Sequence, residues 1–143
     1  MNGHLVRRFL SSLSNRAPDA VDTAWAESQL IDSELPLWRR LTVTDRRHAI
    51  TVARRFESMG SWTRDEIAGA LLHDIGKLDS HLGTASRVLA TVVGPRTARL
   101  RRYHDHERIG AEMLEVAGSS IATVELVRGR GRAATALAEA DHI

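Results

Sequence analysis

Apolar positions along this chain recur at three- and four-residue intervals, and no segment alternates apolar and polar residues over any length. From Asp45 to Met59, the residues Ala49, Val52, Ala53 and Phe56 fall on one face of a helix, with Thr44 as its N-cap and Gly60 as its stop. Thr63 and Glu66 have capping-box spacing, in which each side chain satisfies an amide left open at a helix start, and they open a second helix through Leu72 to Asp74. Gly76 loosens the end of that helix. Thr84 to Val93 reads as a third helix, stopped by Gly94-Pro95. Asp105 to Ala117 reads as a fourth, with Ile109, Met113 and Val116 inward and Gly118 beyond it. Ser119 or Ser120 caps a fifth helix to about Val127, and a last one runs from about Ala133 after the turn Arg128-Gly129-Arg130-Gly131. The N-terminal third adds two or three helices around Phe9, Trp25, Leu30 and Trp38, whose helical spacing marks them as core.

The pattern predicts an all-α bundle of six or more helices. Its 143 residues suit one domain, with 1–35 as a helical extension packed on a core of 36–143. No apolar run approaches the roughly 20 residues that cross a bilayer, so no membrane partner is expected. The stretch MNGHLVRRFLSSLSNRAP lacks the apolar core and small-residue cleavage site of a leader, which gives the expectation of a cytoplasmic protein. Cysteine is absent, so any metal site must draw on His, Asp or Glu, and seven histidines are available. The net charge is +2, and arginine supplies nearly all of the positive charge, in pairs such as Arg39-Arg40, Arg46-Arg47 and Arg54-Arg55. Such pairs read first as a solvated helical surface laced with salt bridges, and secondly as an attraction for an anionic substrate or nucleic acid. Lysine occurs once, at Lys77.

A His-Asp dipeptide by itself carries little information, and this chain has two, His73-Asp74 and His104-Asp105. Context separates them. His73-Asp74 closes the apolar segment Ile67 to Leu72, and an ionisable pair at a buried helix end costs free energy unless its charge is compensated. Either an internal His–Asp hydrogen bond or a divalent cation would compensate it, since imidazole nitrogen and carboxylate oxygen both suit Mn, Fe, Zn or Mg. Neighbouring helical side chains diverge by roughly 100°, so further ligands must come from other helices. His48 shares its helix face with Val52 and Phe56, as a core histidine or a ligand would. His81 reads as a surface turn residue. His104 and His106 straddle the expected start of the fourth helix, and His106 shares a face with Ile109 and Met113.

The segments Asp45-Arg46-Arg47-His48-Ala49, Leu71-Leu72-His73-Asp74-Ile75-Gly76-Lys77, His106-Glu107-Arg108-Ile109-Gly110-Ala111-Glu112 and Ala138-Glu139-Ala140-Asp141 occur in that order. Together, over about residues 36–143, they resemble the HD superfamily of metal-dependent phosphohydrolases. The resemblance implies a helical bundle in which His48, His73, Asp74 and Asp141 hold a divalent ion (Mn, Fe, Mg, Zn or similar) and His106 serves a second metal or the substrate. It further implies that Asp74 orients or deprotonates the attacking water, and that Lys77, with Arg46 or Arg47, meets the phosphate of a nucleotide or other small phosphoester. Monoester and diester both remain open. Two-metal relatives often carry histidine after the helix that here ends Glu125-Leu126-Val127, and this chain has Arg128-Gly129-Arg130-Gly131 instead, so a complete second metal site is not expected. The rival readings are a non-catalytic metal- or nucleotide-binding module using the same pocket and, more weakly, an all-α nucleic-acid-binding domain. No Gly-rich phosphate loop or serine-nucleophile motif supports another class.

Overall fold

Thr63 begins a short helix by accepting a hydrogen bond from the Glu66 amide through its hydroxyl, while the Glu66 carboxylate takes the Thr63 amide at 3.0 Å. The capping box read from the sequence is therefore formed, and the apolar run behind it is buried from Ile67 to Leu72. In a computed structural model that describes residues 17–78 and 95–142, the side chains of 95–104 excepted, this helix lies at the centre of an all-helical bundle. The described helices are α1 (Ala20–Ser28), α2 (Leu35–Arg40), α3 (Val43–Ser58), α4 (Arg64–Leu71), α5 (Pro95–Ala117), α6 (Ile121–Val127) and α7 (Ala134–His142), with a 3-10 turn at Ile75–Leu78 between α4 and α5. No strand occurs among the described residues. Phe9, His81 and the helix expected over Thr84 to Val93 lie outside them, as does the side chain of His104.

Two boundaries and one helix face differ from the expectation. Helix α3 starts at Val43, because the Thr42 hydroxyl, on extended backbone, accepts the Asp45 amide at 3.0 Å; Thr44 sits inside the first turn and is not the cap. Helix α5 starts at Pro95, ahead of the expected start at Asp105. Proline suits a first turn, where its missing N–H would have had no partner and its fixed φ is already helical. His104 and His106 consequently lie in mid-helix and not across a helix start. The inner face of α5 is Gly110, Ala111 and Leu114, and Val116 is 91% exposed. Two residues beyond Leu114 is a rotation of roughly 200°, which turns Val116 outward.

Helix α4 packs against α3 and α6, α5 packs against α6 and the 3-10 turn, and α7 lies on α3. Val52 and Phe56 of α3, Leu71 and Leu72 at the end of α4, Ile75 in the turn and Leu114 of α5 are all fully buried between these layers. The turn and α5 approach closely at two glycines: a Cβ on Gly76 would overlap the His106 carbonyl, and one on Gly110 would sit 3.1 Å from the Gly76 nitrogen. Gly76 thus permits backbone contact rather than merely ending a helix. At the N-terminal side Trp38 and Leu30 are core, and the half-buried Trp25 carries the Arg54 guanidinium 3.7 Å above its ring. Buried Glu34 accepts from the Ile31 amide and from Ser119 Oγ at 2.6 Å, fastening this segment to the turn between α5 and α6.

Candidate metal centre

Four of the side chains singled out in the sequence converge at one end of the bundle. His48 comes from the first half of α3, His73 and Asp74 from the residues joining α4 to the 3-10 turn, and Asp141 from the last turn of α7. His48 Nε2 lies 3.0 Å from Asp141 Oδ1, and the two imidazole rings have centroids 5.9 Å apart. His73 Nε2 lies 3.3 Å from Asp74 Oδ2 and 3.6 Å from Asp141 Oδ1, near enough for attraction but without the alignment of a hydrogen bond to either. One donor atom each from His48, His73 and Asp141 falls within 4.8 Å of the others.

The orientation of His73 is set locally. Helix α4 ends just before it, so the Ala70 carbonyl is available and accepts from Nδ1 at 2.7 Å. With Nδ1 carrying that hydrogen, the neutral ring presents a bare Nε2 lone pair to the two carboxylates. Nε2 is buried and makes no hydrogen bond. A buried lone pair beside two carboxylate oxygens is suited to a cation, a proton or a hydrogen-bond donor. Burial, the largest influence on His73, disfavours its charged form, but Asp141, Asp74 and the Ala70 carbonyl outweigh burial and raise its pKa above the ordinary value. The carboxyl of Asp141 is held far below the usual range by His48 first and His73 second, against an opposing contribution from burial.

Metal-ligand geometry gives a direct test of fit. Donors about 2.1 Å from one ion lie roughly 3.0–3.4 Å from each other in octahedral or tetrahedral arrangements. The separations of 3.0, 3.3 and 3.6 Å found here bracket that range. Two imidazoles and two carboxylates are also a donor set that first-row divalent ions accept. His48, His73 and Asp141 therefore could hold such an ion with little movement, with Asp74 beside His73 but outside that group.

Comparison of the chain with protein-family models, curated proteins and solved structures finds no match, and the geometry stands on its own.

Beside the cluster opens a cavity of about 240 Å³ whose polar side is formed by His73, Asp74, His106, Glu107 and Asp141. His106 is therefore brought to the site, across the cavity from α4. Glu107 was not anticipated from the sequence; its spacing to Gly110 and Leu114, on the inner face of α5, was the available signal. Lys77 is drawn to acidic neighbours, its Nζ standing 3.5 Å from Asp74 Oδ2 and 3.9 Å from Asp45 Oδ1, with 42% of the side chain exposed. It stands beside the cluster without lining the cavity, and neither Arg46 nor Arg47 lines it. The apolar-face argument placed His48 inward, whereas its ring is 43% exposed, at the rim where α3 and α7 meet. Arg55, also on α3, donates to the Ala140 carbonyl at 3.4 Å and steadies the turn that carries Asp141.

The turn Arg128-Gly129-Arg130-Gly131 reaches the cavity through glycine rather than arginine. Arg128 pairs with Glu115 and Glu125, and Arg132 reaches Glu66 at 2.8 Å and the Ser61 carbonyl at 3.1 Å. Gly129, with φ +82°, lines the cavity; a Cβ there would stand 3.2 Å from a Glu107 carboxylate oxygen. No histidine occurs in this turn, and two of its glycines take left-handed conformations that let it fold tightly against α5.

Proposed function

We propose that this chain is a metal-dependent phosphohydrolase of the HD type, acting on a nucleotide or other small phosphoester. The observation that carries this reading is the buried Nε2 of His73, held by the Ala70 carbonyl so that its lone pair faces Asp74 and Asp141. A histidine whose second nitrogen is anchored to a carbonyl is how proteins fix the tautomer and aim of a metal ligand. His48, His73, Asp74 and Asp141 would hold the ion. When bound, such an ion polarises a phosphoryl oxygen and makes water a stronger acid.

The remaining roles belong to the protein. Asp74, 28% exposed and lining the cavity, presents an oxygen that would orient the incoming water and take its proton. Water adds at phosphorus, the P–O ester bond breaks, and the alcohol leaves with a proton. Lys77, 3.5 Å from the same carboxylate though outside the cavity lining, would offer positive charge to phosphoryl oxygens that project past Asp74. His106 faces the other side of the phosphate and donates or accepts a hydrogen bond there. Arg128 and Arg132 are engaged with glutamates and do not line the cavity; the alternative of a non-catalytic binding pocket predicts ligand binding without turnover.

The test pairs elemental analysis with a panel of phosphatase and phosphodiesterase substrates under added Mn. The wild type carries one equivalent of metal and hydrolyses at least one small phosphoester, and a chelator stops it. His73→Ala and Asp74→Ala lose the metal. A full equivalent of metal in either variant overturns the ligand assignment. A metal-loaded wild type that turns over nothing on the panel overturns the hydrolase.

A further inference from the structure

Helix α7 is short and carries Asp141 near its end, so that carboxylate is placed only as well as the helix is. Nine residues make a marginal helix in water, and the place of such a helix depends on what it is fastened to. Ala134, Leu137, Ala138 and Asp141 all line the cavity at helical spacing, so a shift of α7 carries Asp141 with it. The turn ahead of the helix supplies little restraint. Gly129 and Gly131 have positive φ, and no described atom beyond its chain neighbours comes within 4 Å of where a Cβ on Gly131 would stand. The next residue is Arg132.

Arg132 reaches back to the two helices that lead to the histidines. Its Nη2 donates to Glu66 Oε1 at 2.8 Å, on the helix that runs to His73, and to the Ser61 carbonyl at 3.1 Å, in the turn between α3 and α4. The Glu66 side chain is only 9% exposed and its carboxylate also closes the α4 capping box. The Arg132 guanidinium lies 5.0 Å above the Trp62 ring. Trp62 in turn stacks on Phe56, with centroids 4.6 Å apart, and donates from Nε1 to the Phe56 carbonyl at 2.6 Å. Phe56 is fully buried and lies on α3, the helix that bears His48. One planar cation thus touches a carboxylate, a carbonyl and a ring together, which an ammonium matches poorly. We propose that Arg132 is a positioning residue for the metal centre: by fastening the root of α7 to α3 and α4, it holds Asp141 against His48 and His73. The inference rests on the ligand assignment made above and is independent of the hydrolytic step.

Manganese alone is the probe, titrated calorimetrically into the metal-stripped full chain. A molecule with α7 undocked lacks Asp141, so apparent affinity falls in proportion to the docked fraction. Arg132→Met keeps the stem and removes the donors. A charge-assisted hydrogen bond contributes roughly tenfold or more to an equilibrium, and less with Arg132 64% exposed, so the Kd for Mn rises about fivefold. Arg132→Lys recovers part of the loss. In an Asp141→Asn background Arg132→Met costs less than twofold, because the carboxylate it serves is already gone. Glu66→Gln, which removes the charge of the partner, goes through the same cycle should Arg132→Met fail to fold. An unchanged Kd for Arg132→Met overturns the inference, and so does an equal loss with and without Asp141, which marks a bundle loosened as a whole. Asp141→Asn with wild-type affinity, or a wild type that takes up no Mn, overturns the ligand assignment and the inference with it. A wild type that binds Mn and hydrolyses nothing overturns the hydrolase alone.

Discussion

The ring of His73 has its Nδ1 tied to a backbone carbonyl and its Nε2 turned to two carboxylates, an aim set by its surroundings more than by its own chemistry. Lys77 stands one step further out and should separate holding the ion from using it. Lys77→Ala lowers kcat by roughly 10²-fold, as loss of a charge contact that strengthens in the transition state does. Its metal content, read by elemental analysis, stays at the wild-type level; unchanged turnover removes Lys77 from the mechanism. Glu66 illustrates a titration that bears on stability instead. Burial raises its pKa, but the Thr63 amide and the Arg132 guanidinium outweigh burial and hold the carboxyl below 4.5. A carboxyl with a lower pKa folded than unfolded stabilises the fold above about pH 4.5, and that contribution fades as pH falls below this value toward the folded pKa. Denaturant midpoints should therefore show wild type ahead of Glu66→Gln at pH 7, with the gap closing by pH 3; a constant gap would mean that Glu66 acts only through packing. At this scale the sequence was legible where an ionisable pair interrupted an apolar run, as at His73-Asp74. It was not legible where partners came from elsewhere in the chain: nothing near Lys77 announces Asp45, 32 positions earlier.

The elements were most readable where a start signal is chemically reciprocal. Thr63 and Glu66 satisfy each other's amides and tolerate few other arrangements, whereas a single threonine before a helix leaves Thr42 and Thr44 equally plausible. The start of α5 at Pro95 was missed for a similar reason, since proline punctuates both ends of helices and had been read only against the preceding segment. The helix register around Val116 failed because an apolar residue in a last turn need not follow the face set by its predecessors. Gly76 was noticed for its flexibility, but its use is proximity. The 3-10 turn and α5 meet there backbone to backbone, and this contact fixes how far His106 stands from His73. Gly76→Ala must push α5 away from α4. A cost of about 1–3 kcal/mol in urea unfolding follows, the usual penalty for overpacking. Metal affinity should fall less than catalysis, because His106 and Glu107 move while the four ligands remain on their own elements. A variant as stable as wild type would show that the contact is loose.

Across the whole molecule, the site joins helices that are remote in the chain. His48 and Asp141 face each other across 93 positions, and His73, between them in sequence, comes within 3.6 Å of the Asp141 carboxylate. Contacts of such separation form late, because closing a long loop costs entropy before the contact gives anything back. In refolding from urea, helical circular dichroism should recover before Mn is taken up, with uptake followed by a metal-sensitive dye. Uptake that keeps pace with the first recovery of helix would mean that the ion templates the bundle. Helix α7 gains its place through Leu137 and Ala140 in the core and through Arg55 on the Ala140 carbonyl, so its docking does not await the ion. During synthesis the same geometry imposes an order in time. The two histidines and Asp74 leave the ribosome well before Asp141, and until that residue arrives the nascent chain exposes an imidazole pair that lacks its closing carboxylate. Metal met at that stage would find an incomplete set of the proposed ligands and would exchange easily.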